Sequence, residues 1–268
     1  MYPTQWGLQR PPFPSSLDPG LFYQGAGQQE ALARLRFLVE HRRRVGLLLG
    51  APGWGKSLLM KVFADQCRQS DRTVAEVNLL GLTAREFYWR LGCELGAAVR
   101  REDDLMRLFS QLADRIAQNR LQTMPTVVFL DDVDQAAPDV LTQLARLARI
   151  DAASDGWLTL LLAANPAQAH RLGDPLLELV DLRIDLEPWD EADTIGYLQL
   201  ALVEAGAQRP LFEDEALAEL HHLAAGVPRW VNRLADYALL AGSGQGQERI
   251  DVAMVQSAQE AIRWPTPA

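Results

Sequence analysis

The sequence predicts an α/β fold in which helices cover both faces of a five-stranded parallel sheet, followed by a small helical domain. Short apolar runs alternate with helical patterns over the first two thirds of the chain. That alternation is typical of parallel strands buried between helices. After Pro188 the apolar runs stop and only helical patterns continue. We therefore expect a three-layer αβα core over residues 25–187 and a helical lid over residues 188–268.

An N-terminal arm over residues 1–24 precedes the predicted core. It is rich in proline, glycine and aromatic residues. Large aromatic side chains need an apolar surface to pack against. We therefore expect the arm to be ordered, with Trp6, Phe13, Phe22 and Tyr23 as its anchors.

Each of the five expected strands is a short apolar run. The runs cover residues 44–50, 73–80, 126–132, 157–166 and 179–188. Helical patterns separate them; for example, "QQEALARLRFLVEH" precedes the first strand and "SLLMKVFADQCRQ" follows it. Four helical stretches are predicted in the lid. Three of them are expected to end at Gly206, Gly226 and Gly242, because glycine commonly terminates helices.

The composition is that of a globular protein, with 48% apolar residues, 23% charged residues and a net charge of −9. This acidic balance does not favour nucleic acid as a partner, because nucleic-acid-binding domains present extended positive surfaces. The densest basic stretch, "HRRR" at residues 41–44, fits a solvated helix end, where cations meet the negative pole of the helix dipole. A local basic patch that touches DNA phosphates is the alternative.

The sequence shows neither a disulfide framework nor a membrane segment. Cys67 and Cys93 lie in separate helical patterns, and with the four histidines they form no zinc-binding spacing. The N-terminus lacks the basic and apolar regions of a signal peptide. The longest apolar run, "WLTLLLAA", is far shorter than the ~20 residues of a membrane-spanning helix. We therefore expect a cytoplasmic location.

A phosphate-binding loop is predicted between the first strand and the helix that follows it. "GAPGWGKS" fits the pattern G-x-x-x-x-G-K-[ST] (Walker A), so the core is expected to be a P-loop NTPase sandwich. Its glycines let backbone N–H groups point at phosphates, and the positive end of the helix adds to the attraction. We expect Lys56 to contact the β- and γ-phosphates and the Ser57 hydroxyl to bind Mg²⁺. The expected nucleotide contacts are Gly50, Ala51, Pro52, Gly53, Trp54, Gly55, Lys56, Ser57 and Leu58.

A second motif, "VVFLDDVD", ends the third strand with carboxylates, as a Walker B motif does. We expect Asp131 to hold Mg²⁺ through water and Asp132 to polarise the water that attacks the γ-phosphate. Asp134 is expected at the surface. Asn78, which ends the second strand, is a candidate restraint on Asp132 when no partner is bound. The alternative is that Asn78 has no role in the site.

Two further residues are candidates for contacting the nucleotide. Asn165 ends the fourth strand, where an amide can orient the attacking water or contact the γ-phosphate (the sensor 1 role). The alternative is that Asn165 and Pro166 only terminate the strand. Arg229 begins a helix of the lid, from which an arginine can reach the phosphates (sensor 2); otherwise it is an ordinary residue of a helix start. With Lys56 and Asp132, these two residues complete the expected catalytic set.

Together, the P-loop, the Walker B strand, the polar end of the fourth strand and the helical lid resemble an AAA+ ATPase. The resemblance narrows to the ExeA-type (general secretion pathway A) ATPases on three segments. "WGLQRPPFPSSLDPGLFYQGAGQQEALARLRFLV" is similar to the arm of that family, and "LEPWDEADTIGYLQLALVEAG" and "GVPRWVNRLADYALLAG" are similar to its lid. The similarity covers about residues 2–260. Secretion members carry a membrane segment and a peptidoglycan-binding module after the ATPase part, and related ATPases serve pilus assembly and transposition.

The resemblance implies ATP binding with Mg²⁺, ATP hydrolysis, nucleotide-dependent self-assembly and an unknown protein partner. In such assemblies a neighbour's arginine completes the site, and Arg171 and Arg183 are the candidates here. The family usually has Asp-Glu where this chain has Asp131 and Asp132. Aspartate is one methylene shorter, and a misplacement of roughly 1 Å costs on the order of a hundredfold in rate. We therefore expect slow hydrolysis.

Three functions are compatible with these residues. The first is an oligomerising ATPase that drives or resets a partner complex. The second is an ATP-gated binding module that hydrolyses slowly or not at all. The third is a DNA-linked regulator similar to transposition ATPases, in which residues 41–44, or Arg100 and Arg101, touch the phosphate backbone. The net charge makes the third the least favoured.

Overall fold

The structure is a computed structural model, and it describes residues 2–14, 16–150 and 156–262. The described residues form two compact units. One consists of residues 28–52 and 56–186 and contains the sheet. The other consists of the residues up to Gly27, the three residues Gly53–Gly55 and the chain from Glu187 onwards, and it is helical.

Five parallel strands form the sheet, which confirms the predicted fold class. In chain order they are β1 (Val45–Leu49), β2 (Thr73–Asn78), β3 (Thr126–Asp131), β4 (Leu158–Ala164) and β5 (Leu182–Asp185). Their order across the sheet is β2-β3-β4-β1-β5. In β1 and β4 every residue is buried, and in β3 only the last residue is not. Because successive side chains point to opposite faces, both faces of these central strands are covered, and this is why they read as unbroken apolar runs.

Helices connect and follow the strands. The described α-helices are α1 (Tyr2–Gln5), α2 (Ala26–Glu40), α3 (Lys56–Arg68), α4 (Ala84–Leu95), α5 (Leu105–Leu121), α6 (Pro138–Leu147), α7 (Asp174–Leu177), α8 (Glu191–Glu204), α9 (Asp214–Ala224), α10 (Pro228–Gly244) and α11 (Val252–Ile262). Short 3-10 helices occupy Pro19–Leu21, Val133–Gln135 and Pro166–Leu172.

The segment between β4 and β5 differs from the prediction. It contains the 3-10 helix Pro166–Leu172 and α7, whereas the sequence predicted no element there. The last strand is also shorter than the predicted 179–188. Leu179 and Val180 belong to the turn that follows α7, because their N–H groups donate to carbonyls three residues earlier, at 3.1 Å in each case.

The prediction that Gly242 ends a helix is wrong, because α10 continues to Gly244. Gly242 is instead a position of close packing. A Cβ atom there would lie 2.4 Å from Cδ1 of Ile250 and 3.0 Å from the ring of Trp6. Gly206 and Gly226 follow the ends of α8 and α9 with positive φ, as helix-terminating glycines do.

Three of the four predicted anchors of the arm, Trp6, Phe13 and Tyr23, pack within the helical unit. Trp6 and Phe13 are only 6% and 3% exposed. The Trp6 indole Nε1–H donates to the carbonyl of Leu239 at 2.9 Å. The ring of Tyr23 meets that of Trp189 edge to face, with centroids 5.7 Å apart. These described residues of the arm therefore share a core with the helices of the same unit.

The division into an arm (1–24), a core (25–187) and a lid (188–268) stays a prediction. Residues 263–268 of the predicted lid lie outside the described residues. No helix in the described part of the chain combines the length and the apolar character needed to cross a membrane.

Candidate functional site

The predicted phosphate-binding loop joins β1 to α3. Two of its residues, Gly53 and Gly55, have φ values of +90° and +93°. Residues with a Cβ rarely adopt such values, so the loop conformation requires glycine at both positions. At its start, the Gly50 N–H donates to the carbonyl of Ala164 at the end of β4, at 3.2 Å. Two glycines of the motif therefore lie where the backbone adopts a conformation that only glycine takes without strain.

Lys56 is the first residue of α3, and its side chain folds back over the loop. Its Nζ donates to the carbonyl of Gly50 at 2.6 Å and to that of Ala51 at 3.4 Å. The ammonium group is thus held beside the loop that is expected to bind phosphates. This is the placement that a P-loop lysine needs.

The structure brings the two expected magnesium residues together. The Ser57 hydroxyl donates to Oδ2 of Asp131 at 2.5 Å, although 74 positions separate them in the chain. A hydroxyl and a carboxylate oxygen are ligands of the kind that Mg²⁺ prefers, and Mg²⁺ usually adds phosphate oxygens and waters. Among the described residues no group of three or more His, Cys, Asp or Glu side chains could hold a metal alone. The residues present therefore fit a nucleotide-bound Mg²⁺.

The electrostatics around Asp131 reflect its position. Burial raises the pKa of the Asp131 carboxyl above its ordinary value, and the neighbouring charge of Asp132 raises that pKa further. The hydrogen bond from Ser57 lowers it, as does the positive charge of Lys56. A divalent cation at this position would favour the ionised carboxylate that burial disfavours.

Asp132 follows β3 in the left-handed region, with φ of +53°. Its Oδ2 accepts a hydrogen bond from Nδ2 of Asn78 at 2.7 Å. Asn78 lies at the end of β2, in register with Asp131 on β3. The structure thus makes the Asn78–Asp132 contact that the sequence left as one of two alternatives.

The expectation that Asp134 lies at the surface is wrong, because its exposed fraction is 4%. The 3-10 helix Val133–Gln135 turns its side chain inward. Its Oδ1 accepts from the backbone N–H of Asn165 at 3.0 Å, and its Oδ2 accepts from Nε2 of Gln135 at 2.9 Å.

Asn165 lies directly after β4, which is the neighbour of β3 in the sheet. Its Oδ1 accepts from the N–H of Ala167 at 3.2 Å and caps the 3-10 helix. Asn165 therefore does terminate the strand and begin the turn. The cap occupies the side-chain oxygen, and the Nδ2 amide is the group that could donate to a phosphate or a water.

Arg229 is an exposed residue near the start of α10. Its backbone N–H donates to the carbonyl of Gly53 at 3.2 Å. A Cβ atom on Gly53 would lie only 3.1 Å from the Cβ of Arg229. Within the helical unit, Arg229 is therefore in direct contact with a loop residue.

The two candidate trans-acting arginines differ in their surroundings. Arg183 lies on β5, where its guanidinium donates to both carboxylate oxygens of Asp185 at 2.8–3.0 Å. Arg171 is exposed in the 3-10 helix after β4 and lines a cleft of about 520 Å³, together with Arg146 and Arg149. The ion pair occupies the Arg183 guanidinium, whereas Arg171 belongs to a cluster of cations.

One arginine of each basic stretch stacks on a tryptophan ring of the sheet unit. Residues 41–44 directly follow the end of α2, and the Arg42 guanidinium lies 4.1 Å from the ring centroid of Trp157. The Arg101 guanidinium lies 5.1 Å from the ring centroid of Trp89.

The sequence matches the family model of the AAA domain over residues 39–172, which is half of the chain. The chain belongs to the AAA domain family. The matched region contains the loop, Lys56, Ser57, both Walker B aspartates and Asn165. The AAA domain family is one of P-loop ATPases, so the predicted nucleotide-binding class is confirmed at that level.

The chain is similar in sequence to a general secretion pathway A protein, as the motifs predicted. General secretion pathway protein A of Aeromonas hydrophila is 29% identical over 254 residues, which cover 93% of this chain and 46% of that protein. The chain therefore spans about half of its relative's length. The resemblance to the general secretion pathway A family is confirmed by this match.

Solved structures share the fold at low sequence identity. The Aeropyrum pernix ORC2 protein (ADPNP–ADP complexes) is 17% identical with a TM-score of 0.71, covering 94% of this chain and 71% of that one. Drosophila ORC bound to DNA is 18% identical with a TM-score of 0.72, covering 98% and 65%. The Thermotoga maritima RuvB Holliday junction branch migration motor is 17% identical with a TM-score of 0.60, covering 94% and 74%. These similarities support the fold.

Proposed function

We propose that the chain binds ATP with Mg²⁺ and hydrolyses it, and that it works as a nucleotide-dependent switch on a partner complex. The observation that carries the proposal is the 2.5 Å hydrogen bond between Ser57 and Asp131, which joins Walker A to Walker B. Family membership supports the same chemistry. Bound Mg²⁺ would neutralise charge on the phosphates, and the chain's own groups would do the rest.

Each residue of the site has one task in this proposal. Lys56 binds the β- and γ-phosphates, and Ser57 directly and Asp131 through water would hold the metal. Asp132 orients the attacking water and takes its proton. Asn165 donates to the water or to the γ-phosphate through Nδ2.

We assign Arg229 to the coupling between bound nucleotide and the position of the lid, because its backbone N–H donates to the carbonyl of Gly53 in the loop. The other contacts expected for the nucleotide are Gly50, Ala51, Pro52, Trp54, Gly55 and Leu58.

A slow, ATP-gated binding module is the second candidate function. The contact from Asn78 to Asp132 favours it, because a carboxylate that accepts from an amide is restrained away from a water molecule. Together with the short side chain of Asp132, this contact supports low basal turnover and a persistent ATP-bound state.

The partners and the location stay proposals. We assign ATP-dependent self-assembly to the chain, with Arg171 as the neighbour's arginine ahead of Arg183, since the latter is paired with Asp185. A DNA-linked role has weaker support, because the net charge is −9 and the Arg42 and Arg101 guanidinium groups each stack on a tryptophan of the same unit. A cytoplasmic location agrees with the free cysteines Cys67 and Cys93.

The test of nucleotide binding and hydrolysis is Lys56→Ala. We expect phosphate release from ATP to fall below detection and ATP affinity to drop, with an unchanged circular dichroism spectrum, because the ammonium faces the loop and not a core. Lys61→Ala, on the same helix α3, is the matched control and should hydrolyse normally. Wild-type turnover in Lys56→Ala would show that the loop is not the nucleotide site.

A further inference from the structure

The turn after Walker B and the turn after β4 are joined by hydrogen bonds of Gln135 and of the buried Asp134. Oδ1 of Asp134 accepts from the N–H of Asn165 at 3.0 Å, and Oδ2 accepts from Nε2 of Gln135 at 2.9 Å. Nε2 of Gln135 also donates to Oε1 of Gln168, in the 3-10 helix that Asn165 caps. Asp134 and Gln135 thus hold the turn 165–168 at both of its ends.

These bonds fix the orientation of Asn165. Its backbone N–H is bound by Asp134, and its Oδ1 is bound by the N–H of Ala167 at 3.2 Å. With both groups fixed, only a narrow range of directions is left for Nδ2. An ionised carboxylate makes shorter and stronger hydrogen bonds than a neutral acceptor does, so Asp134 holds this backbone more firmly than an uncharged side chain would.

Asp134 is a costly residue for a merely structural bond. Burying a carboxylate is less favourable than burying a neutral acceptor, and an amide or hydroxyl could accept from the same N–H. The bond from Asn165 to Asp134 also connects two parts of the site. Asp134 belongs to the turn that carries Asp132, and Asn165 is the residue expected to contact the γ-phosphate.

We propose that Asp134 is a positioning residue for hydrolysis: it sets the direction of the Asn165 amide relative to the Walker B carboxylates. The inference rests on the proposed ATPase function and deepens it. It assigns Asp134 no contact with nucleotide or metal. Loss of Asp134 should therefore change the rate of the chemical step and leave ATP binding nearly unchanged.

The first experiment compares Asp134→Ala with Asp134→Asn. The alanine variant loses the acceptor and should lower kcat by ~10- to 100-fold while ATP affinity stays within ~3-fold, because misplacement by about 1 Å has effects of that size. The asparagine variant keeps one acceptor oxygen for the Asn165 N–H but loses the negative charge and the second acceptor that binds Gln135, so its kcat should lie between those of Asp134→Ala and wild type. Should Asp134→Ala fail to fold, Asp134→Leu keeps the branched side-chain shape without an acceptor and carries the same expectation.

A double-mutant cycle separates positioning from general weakening. If Asp134 acts through Asn165, then Asp134→Ala in an Asn165→Ala background should lower kcat by less than ~3-fold. The matched control is Asp103→Ala. Asp103 is also a buried carboxylate (5% exposed) that accepts from a backbone N–H, that of Arg100 at 2.9 Å, and it lies outside the site. Asp103→Ala should lower the melting temperature and leave kcat unchanged.

A second readout does not use turnover. Asn165→Ala should reduce the preference for ATPγS over ADP in equilibrium binding by no more than ~3-fold, and Asp134→Ala should reduce it by a similar factor, so that nucleotide binding is kept while the chemical step is lost. Unchanged kcat in Asp134→Ala, full additivity with Asn165→Ala, or the same loss of kcat in Asp103→Ala would each overturn the inference. A wild-type protein that neither binds nor hydrolyses ATP would instead overturn the proposed function, and the inference with it.

Discussion

At the scale of single residues, we propose that Asp132 sets how rapidly the chain hydrolyses ATP. Two features support the proposed slow turnover. The aspartate side chain is one methylene shorter than the glutamate usual in related ATPases. Its Oδ2 is also bound to Nδ2 of Asn78 at 2.7 Å. Both features reduce the ability of the carboxylate to reach and polarise a water molecule.

We expect Asp132→Asn to abolish the remaining turnover while ATP stays bound, because an amide is a poor proton acceptor. Asp132→Glu should keep or raise the rate by restoring the missing reach. Phosphate release under saturating ATP, with equilibrium binding of ATP alongside, measures both effects.

Asn78→Ala provides the control for this prediction. If Asn78 restrains Asp132, its removal should raise turnover in the wild-type chain and have no effect in the Asp132→Asn background. Full activity in Asp132→Asn would mean that another acid activates the water. Asp134 would then be tested as the base rather than as a positioning residue.

At the scale of elements, the connection between α9 and α10 depends on one glycine. Gly226 has φ of +66°, and its carbonyl accepts from the N–H of Trp189 at 2.9 Å. A Cβ atom at this position would lie 2.0 Å from the carbonyl oxygen of Trp189. The N–H of Trp189 is bound to Gly226, so the Trp189 backbone cannot move away cheaply, and the position tolerates no larger residue.

We expect Gly226→Ala to lower the free energy of unfolding by about 2 kcal/mol or more, from the positive φ and the overlap together. Gly244→Ala is the matched control, because Gly244 ends α10 and a Cβ there meets nothing within 4 Å. It should be neutral or stabilise by up to about 1 kcal/mol. Denaturant titration of both variants makes the comparison, and equal stability of Gly226→Ala and wild type would contradict it.

The elements also show what the sequence can and cannot predict. Unbroken apolar runs predicted β1, β3 and β4, because strands covered on both faces must be apolar throughout. The 3-10 helix after β4 and α7 were missed, since seven-residue and four-residue helices interrupted by Pro and Gly carry no periodic pattern. The prediction that Gly242 ends a helix was wrong, because its packing partner Trp6 is far away in the sequence.

The site divides in the same way. The loop glycines, Lys56, Ser57 and Asp131 lie in contiguous motifs, and adjacent parallel strands bring such motifs to one edge of the sheet. The burial of Asp134 depends on the turn after β3 and on the backbone of Asn165, and no local pattern encodes that pair. A third acid after the Walker B pair was the available signal, and its spacing alone did not distinguish an inward from an outward side chain.

At the scale of the whole molecule, the remaining question is whether one chain holds a complete catalytic site. In the proposed function, an arginine of a neighbouring copy completes the catalytic site. Arg171 is the favoured source, since it is exposed beside Arg146 and Arg149, whereas Arg183 is engaged by Asp185. An arginine that approaches the γ-phosphate from a neighbour stabilises charge in the transition state and contributes little to ATP affinity.

Three results should therefore occur together. ATP with Mg²⁺ should shift the protein from monomer to larger assemblies in light scattering. Arg171→Ala should lower turnover by ~10³-fold or more, the range for arginine fingers, and leave ATP affinity nearly unchanged. Mixing Arg171→Ala with Lys56→Ala should restore part of the activity, because an intact loop on one chain can then face an intact arginine on the other.

If mixing restores nothing while Arg183→Ala mixed with Lys56→Ala does, Arg183 is the trans-acting residue. If the wild-type protein hydrolyses ATP as a monomer under every nucleotide condition, the site is complete within one chain and the assembly proposal fails.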